Sequence, residues 1–121
     1  MIVVVVGASD KPHRYSFQAV QLLREKGHRV LPVHPKLTGL LGLPAYAALG
    51  DVPGPVDVVT LYVGPERSSL MEKDLLALSP KMVIMNPGAE NEDLERALGR
   101  ARIVVRRACT LVLLRTGAFS V

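Results

Sequence analysis

The chain has 121 residues, 49% of them hydrophobic and 21% charged, and carries a formal net charge of +4. This length predicts a single domain over residues 1–121, and the composition excludes a disordered protein. No apolar run approaches the roughly 20 residues that cross a bilayer, and the first run lacks the basic residues that precede a signal-peptide core. We therefore expect a cytoplasmic protein with no membrane segment, and the single cysteine, Cys109, agrees with a reducing compartment.

Five short apolar runs predict β-strands that are buried on both faces. They cover residues 2–6, 29–33, 56–63, 82–85 and 103–105. Continuous rather than alternating apolar runs are typical of a parallel sheet with helices on both sides.

Helical patterns separate these runs. We predict helices over residues 16–26, with Ser16 as N-cap and Gly27 after the end, over 65–78, starting at Pro65, and over 91–100, with Asn91 as N-cap. A short helical turn is expected over 45–49. This alternation predicts right-handed crossovers and a doubly wound α/β sheet, with strand order 3-2-1-4-5 counted along the chain. Such sheets bind ligands where the order reverses, beside the end of the first strand.

The loop over residues 7–14 lies between the first strand and the first helix, at this expected site. Gly7 allows a sharp turn, and backbone amides at a helix N-terminus favour an anion. Ser9 adds a hydroxyl, and Lys11 and Arg14 add positive charge. The loop predicts a phosphate site, although it lacks the G-x-G-x-x-G pattern of enzymes that bind NAD.

The end of the second strand distinguishes between nucleotide ligands. NAD-binding domains have an acidic residue there for the ribose hydroxyls, whereas this chain has His34 and Lys36. A basic strand end suits a phosphorylated ribose, which coenzyme A carries at the 3′ position and NADP at the 2′ position.

Four stretches in this order resemble a known family: VGASDKPHR at residues 6–14, GHRVLPVHP at 27–35, GLPAY at 42–46 and VPGPVDVV at 52–59. They are similar to the small stand-alone CoA-binding domains, which are themselves similar to the CoA-binding domain of the succinyl-CoA synthetase α subunit. The resemblance runs from the first strand to about Cys109. It implies a Rossmann-like fold and a non-catalytic protein that binds coenzyme A or an acyl-CoA. Synthetase activity is not implied, because the phosphohistidine domain is absent.

The resemblance also implies roles for individual residues. The loop from Ser9 to Pro12 corresponds to the segment that contacts the CoA phosphates, and Lys36 to the residue that approaches the 3′-phosphate. Tyr62 and Val63 correspond to positions near the adenine, and the segment 85–87 to positions beside the pantetheine arm, where the family usually has glutamine in place of Asn86. The complete set of expected ligand-binding residues is Gly7, Ala8, Ser9, Asp10, Lys11, Pro12, Arg14, Val33, His34, Pro35, Lys36, Tyr62, Val63, Asn86, Pro87 and Gly88.

We expect no catalytic and no metal-binding residues. His13 and His28 have no spacing that predicts a metal site, and no nucleophile, base and acid form a recognisable set. Three alternatives stay open: an NADP-dependent reductase, a redox module in which Cys109 forms a mixed disulfide with CoA, and nucleic-acid binding. Nucleic-acid binding rests on net charge alone, so we expect no nucleic-acid partner. The apolar segment 111–114 allows pairing with a second copy of the chain.

Overall fold

A computed structural model describes residues 1–121 of the chain. Its strands and helices, in chain order, are β1 (Ile2–Val6), α1 (Tyr15–Glu25), β2 (Arg29–Val33), β3 (Gly39–Leu40), β4 (Leu43–Pro44), β5 (Val58–Leu61), α2 (Pro65–Ser68), α3 (Glu72–Leu78), β6 (Met82–Met85), α4 (Glu92–Arg100), β7 (Val104–Arg107) and α5 (Thr110–Arg115). Short 3₁₀ turns cover Leu49–Asp51 and Ser69–Met71. None of the helices is long and apolar enough to cross a lipid bilayer.

Five parallel strands form the central sheet, in the order β2-β1-β5-β6-β7. This confirms the Rossmann-like α/β class. The predicted strand order 3-2-1-4-5 is wrong, because the third long strand, β5, pairs with β1 and the order is 2-1-3-4-5. The reason lies in β2. The carbonyl of Pro32 faces away from β1 and accepts a hydrogen bond from Tyr46 N at 2.9 Å. The N–H and C=O of one strand residue point to the same side, so the donor that proline lacks is missing from the outer edge of β2. A strand without that donor suits the edge of a sheet.

The core has two layers, one on each side of the sheet. Alternate residues of β1 point in opposite directions: Val4 and Val6 join one cluster of 17 buried residues, and Val3 and Val5 join another of 12. α3 and α4 cover the first layer, and α1 and α5 cover the second. The sheet is therefore buried on both faces, as the unbroken apolar runs predict.

The predicted second helix, residues 65–78, is interrupted. It consists of α2, a 3₁₀ turn and α3. The side-chain amide of Asn91 donates to Ser68 Oγ and Ser69 Oγ at 2.9 Å each and to Pro65 O at 3.3 Å, which ties this segment to the start of α4. Asn91 is also the N-cap of α4, as predicted, because its Oδ1 accepts a hydrogen bond from Leu94 N at 3.1 Å.

Other boundaries differ from the predictions. The first helix begins at Tyr15 with Arg14 as N-cap, and Ser16 is buried in its first turn. The expected turn over 45–49 is replaced by a bridge from Tyr46 to Val33, followed by the 3₁₀ turn. The hairpin β3–β4 and helix α5 were not predicted. In α5, Leu111, Leu113 and Leu114 pack inside the chain's own core, and of the segment 111–114 only Val112 is exposed.

Asp57 fastens the starts of three strands at the amino edge of the sheet. Its carboxylate accepts a hydrogen bond from Ile2 N at 2.7 Å and lies 3.3 Å from Lys81 Nζ. The hydrogen bond from Ile2 lowers the pKa of Asp57 most, Lys81 lowers it further, and desolvation opposes both.

A lowered pKa means that the charged carboxylate stabilises the folded state above its unfolded pKa of about 3.9, and that this contribution is lost as the pH falls through the folded pKa. We therefore expect Asp57→Asn to be less stable than the wild type at pH 7, and the difference to shrink as the pH falls below about 4. Urea unfolding of both proteins across this range measures it. A difference that does not change with pH would contradict the assignment.

Candidate functional site

The carboxyl edge of the sheet gathers the segments that the sequence predicts as ligand-binding. The loop 7–14 follows β1, the turn 34–36 follows β2, residues 62–63 follow β5, and residues 86–88 follow β6. The crossover from β1 leads to β2 on one side, and β5 lies on the other, so the strand order reverses between β1 and β5. The crevice outside these two strand ends is the usual binding site of a doubly wound sheet.

Gly7 joins three strand ends at the floor of this crevice. Its N–H and that of Ala8 both donate to Val33 O, at 3.0 and 3.2 Å, and Tyr62 N donates to Val6 O at 2.9 Å. Gly7 has a φ of +83°, and a Cβ at this position would lie 3.0 Å from Val63 Cγ1 and 3.2 Å from the backbone carbonyl of Tyr62. Both the left-handed conformation and the close packing therefore require glycine.

The loop after Gly7 and the first turn of α1 present unused backbone donors. The N–H groups of Ser9, Asp10, Ser16 and Phe17 have no hydrogen-bond partner in the protein. Ser9 Oγ accepts from Lys11 N at 3.1 Å, which holds the loop in a tight turn.

The helix that follows this loop has neither a side-chain cap nor an acidic residue in its first turn. The start of α4 is the opposite case, because Asn91 caps it and Glu92 and Asp93 lie in its first turn. Unpaired amides at an uncapped helix start suit an anionic ligand. Lys11 and Arg14 are exposed beside them and form no ion pair within the protein.

A proline turn holds the basic end of β2. Leu37 N donates to His34 O at 3.2 Å around Pro35, and Lys36 N donates to His34 Nδ1 at 3.0 Å. Because Nδ1 accepts this bond, the neutral ring carries its proton on Nε2. Lys36 is exposed, and its ammonium group makes no ion pair.

Asn86 is the centre of a buried polar network. Its Nδ2 donates to Thr60 Oγ1 at 2.7 Å and to Leu61 O at 2.8 Å, and its Oδ1 accepts from Thr110 N at 2.9 Å. The two threonine hydroxyls lie 2.8 Å apart. Both N–H groups of Asn86 are therefore committed to the protein, and its side chain fixes the ends of β5 and β6 to the start of α5. Thr60 and Thr110 are not among the residues predicted from the sequence, although Thr60 is a polar residue within an apolar strand.

The hydroxyl of Tyr62 lies beside this network. It is buried and forms no hydrogen bond. The pKa of Tyr62 is raised to about 12, mainly by burial and also by the nearby Cys109, while the neighbouring hydroxyls of Thr110 and Thr60 lower it. Cys109 is half-buried at the start of α5 and so lies at the same edge as the crevice.

The remaining expected residues are distributed around this floor. Those that join the strand ends through the contacts above are Gly7, Ala8, Val33, Tyr62, Val63 and Asn86. Those that are exposed around them are Asp10, Lys11, Pro12, Arg14, Pro35, Lys36, Pro87 and Gly88. Ser9 and His34 are half-buried.

The other candidate groups lie apart from the crevice. The ring of His28 packs edge-on against Phe119, and its Nδ1 lies 3.1 Å from the N-terminal amine of Met1. Burial lowers the pKa of His28 most, and the charge of that amine lowers it further. No three His, Cys, Asp or Glu side chains come together as a possible metal site. Two surface depressions, of about 340 and 230 Å³, lie along α1 and beside α3. Neither includes a residue of the expected binding set.

The fold and this edge define a small Rossmann-like domain with unpaired backbone donors at the switch point of its sheet. A model of the CoA binding domain family matches residues 2–115, so the chain belongs to that family. This confirms the family that the sequence motifs predict.

This chain is similar to three known proteins. The uncharacterized protein YneT of Bacillus subtilis (strain 168) is 27% identical over 111 residues, covering 91% of this chain and 82% of YneT. A crystal structure of an uncharacterized protein aligns with a TM-score of 0.92 and 37% identity, over 98% of this chain and 97% of that one. An acetyl-coenzyme A synthetase of Ca. Korarchaeum cryptofilum aligns with a TM-score of 0.68 and 30% identity, over 83% of this chain but only 23% of the synthetase. This fold thus occurs both in short chains and as part of a longer enzyme.

Proposed function

We propose that this chain is a non-catalytic binding protein for coenzyme A or an acyl-CoA, held in the crevice at the carboxyl ends of β1 and β5. The observation that carries the proposal is the family match across residues 2–115. The likeness to part of an acetyl-coenzyme A synthetase supports the same ligand class.

The pyrophosphate of the ligand binds at the loop after β1. The free N–H groups of Ser9, Asp10, Ser16 and Phe17 supply donors without any rearrangement of the backbone. The dipole of α1 and the charge of Lys11 add to them. The net charge of +4 favours the approach of a polyanion, whereas Asp10 is the one acidic group in the loop.

The adenosine end lies towards β2, and Lys36 contacts its 3′-phosphate. The support for this is the exposed, unpaired ammonium group of Lys36 on a turn that two hydrogen bonds fix. The adenine lies near Tyr62 and Val63, and the arm of the ligand runs towards the segment 86–88. Asn86 supports that segment from below through its buried network and does not itself donate to the ligand.

A comparison of ligands tests the proposal against its main rival, an NADP-dependent reductase. We expect CoA to raise the midpoint of thermal unfolding, and NAD to leave it unchanged. At about 100 times its Kd, a ligand stabilises a protein by about 2.7 kcal/mol, which is of the order of 10 °C for a domain of this size. The measurement is a thermal scan with CoA, NADP and NAD at matched concentration. A larger shift with NADP than with CoA would favour the reductase.

Lys36→Ala tests the 3′-phosphate contact. We expect the variant to bind CoA about fivefold more weakly and dephospho-CoA as well as the wild type does, because a charge-assisted bond from an exposed lysine contributes about 1 kcal/mol. Titration calorimetry with both ligands measures this. Lys26→Ala is the matched control, since Lys26 is also exposed but lies after α1, at the opposite edge of the sheet. Equal losses for CoA and dephospho-CoA would remove Lys36 from the 3′-phosphate.

A further inference from the structure

The side chain of His34 closes the turn that follows β2. Its Nδ1 accepts a hydrogen bond from Lys36 N at 3.0 Å, across Pro35, whose ring fixes φ. Asparagine and aspartate side chains close such turns in the same way, by accepting from the backbone N–H two residues on. The backbone of His34 is held as well, because its N–H donates to Tyr46 O at 2.9 Å and its C=O accepts from Leu37 N at 3.2 Å.

This turn is bonded to the start of the loop after β1. Val33 O, the carbonyl just before His34, accepts from Gly7 N at 3.0 Å and from Ala8 N at 3.2 Å. Hydrogen bonds therefore connect the loop that we propose for the pyrophosphate with the backbone of Lys36. The two backbone segments that carry the proposed phosphate sites are in this way held at one separation.

We propose that His34 is a positioning residue for Lys36, and that it thereby makes the protein prefer ligands with a phosphorylated ribose. This inference rests on the proposed function, which assigns the 3′-phosphate of coenzyme A to Lys36. Lysine carries its charge on a flexible four-carbon stem, so the place that the charge reaches depends on where the backbone holds the stem. Ordering a free backbone opposes binding through lost conformational entropy, and the bond to His34 removes that cost before the ligand arrives.

The bond between His34 and Lys36 contributes little to the stability of the fold. It lies at the surface, where water replaces a lost hydrogen bond, and Pro35 and Lys36 are both exposed. A role in binding and a role in folding therefore predict different results when the acceptor is removed.

His34→Ala removes the acceptor and leaves the backbone bonds of the turn in place. We expect the variant to bind CoA about three- to fivefold more weakly and dephospho-CoA as the wild type does, a loss no larger than that expected for Lys36→Ala. We expect its midpoint of thermal unfolding without ligand to stay within about 3 °C of the wild type. Titration calorimetry with the two ligands and a thermal scan measure these quantities.

His34→Asn tests whether the acceptor is the part of the side chain that matters, because asparagine also closes this kind of turn. We expect it to keep the wild-type preference for CoA over dephospho-CoA to within about twofold. His28→Ala is the matched control, since His28 precedes β2 and so lies at the opposite edge of the sheet. We expect His28→Ala to leave the preference unchanged. A His34→Asn variant that loses the preference as His34→Ala does would overturn the inference.

A double variant shows whether His34 acts through Lys36. Lys36→Ala keeps the backbone N–H that bonds to His34 Nδ1 and removes only the ammonium group. We therefore expect His34→Ala to cause no further loss of CoA affinity when residue 36 is already alanine. A further loss in that background would show that the imidazole contacts the ligand itself or supports another part of the site, and the positioning role would be wrong.

The remaining outcomes separate this inference from the proposed function. Equal losses for CoA and dephospho-CoA in His34→Ala, or normal binding of both, would overturn the positioning role and leave CoA binding intact. A Lys36→Ala variant that prefers CoA as strongly as the wild type does would remove both residues from the 3′-phosphate. Failure of the wild-type protein to bind CoA would overturn the proposed function and the positioning role with it.

Discussion

Gly7→Ala is expected to lower the free energy of unfolding by about 3 kcal/mol, from two effects that act together. A side chain in the left-handed region costs about 1 kcal/mol or more, and a contact that forces neighbours apart adds about 1–3 kcal/mol. The added Cβ would lie 3.0 Å from Val63 Cγ1 and 3.2 Å from the Tyr62 carbonyl, which is backbone and cannot move aside. Urea unfolding of the variant measures the loss.

Gly27→Ala is the matched control for this experiment. Gly27 has a φ of +87°, close to that of Gly7, but a Cβ there would meet nothing within 4 Å. We expect it to cost about 1 kcal/mol, the strain of the backbone alone. Equal losses of stability for the two variants would show that the contacts of the added Cβ with Val63 and Tyr62 do not destabilise Gly7→Ala.

The same position tests where the ligand binds. A larger residue in Gly7→Val projects between the ends of β1 and β5, so we expect CoA binding to be lost even where circular dichroism shows a folded protein. A folded Gly7→Val that binds CoA as the wild type does would place the ligand away from the first loop, and the proposed site would be wrong.

The class of fold was predictable because it depends on local patterns. Strands buried on both faces read as unbroken apolar runs, and helices between them imply parallel pairing. The order of the strands depends on which edges pair, and only Pro32 carried a signal for it. Proline in a strand is typical of an edge. Applied to residues 29–33, that rule predicts that no strand lies outside β2, and leaves the third strand to pair with β1.

The position of the candidate site was predictable for the same reason, whereas its supporting network was not. Parallel strands end at one edge, so the loops after residues 6, 33, 61 and 85 meet there whatever their sequence. The bond between Thr60 and Thr110 joins residues 50 positions apart. It depends on which way each side chain points from separate elements, and helix α5, which carries Thr110, was itself not predicted. The unpaired hydroxyl of Tyr62 is likewise visible only when every neighbour's partners are known.

Asn86→Leu is expected to lower the free energy of unfolding by about 3–5 kcal/mol. Leucine has a similar volume but cannot pair, so Thr110 N loses its acceptor, and Thr60 Oγ1 and Leu61 O lose a donor. A buried polar group left without its partner costs about 1–3 kcal/mol, and Asn86 is only 2% exposed, so water does not replace the lost bonds. Pro87→Ala is the control, because the neighbouring side chain is exposed. We expect it to change stability by less than about 1 kcal/mol.

A double-mutant cycle shows whether these groups act as one network. Thr60→Val removes one of the atoms that Asn86→Leu leaves unpaired, so the double variant should be more stable than the sum of the two single losses predicts, by about 1 kcal/mol or more. The measurement is urea unfolding of the four proteins under one condition. Losses that add to within about 0.5 kcal/mol would show that Asn86 and Thr60 stabilise the fold independently. The carboxyl edge would then lack the rigid support that we assign to Asn86 beneath the segment 86–88.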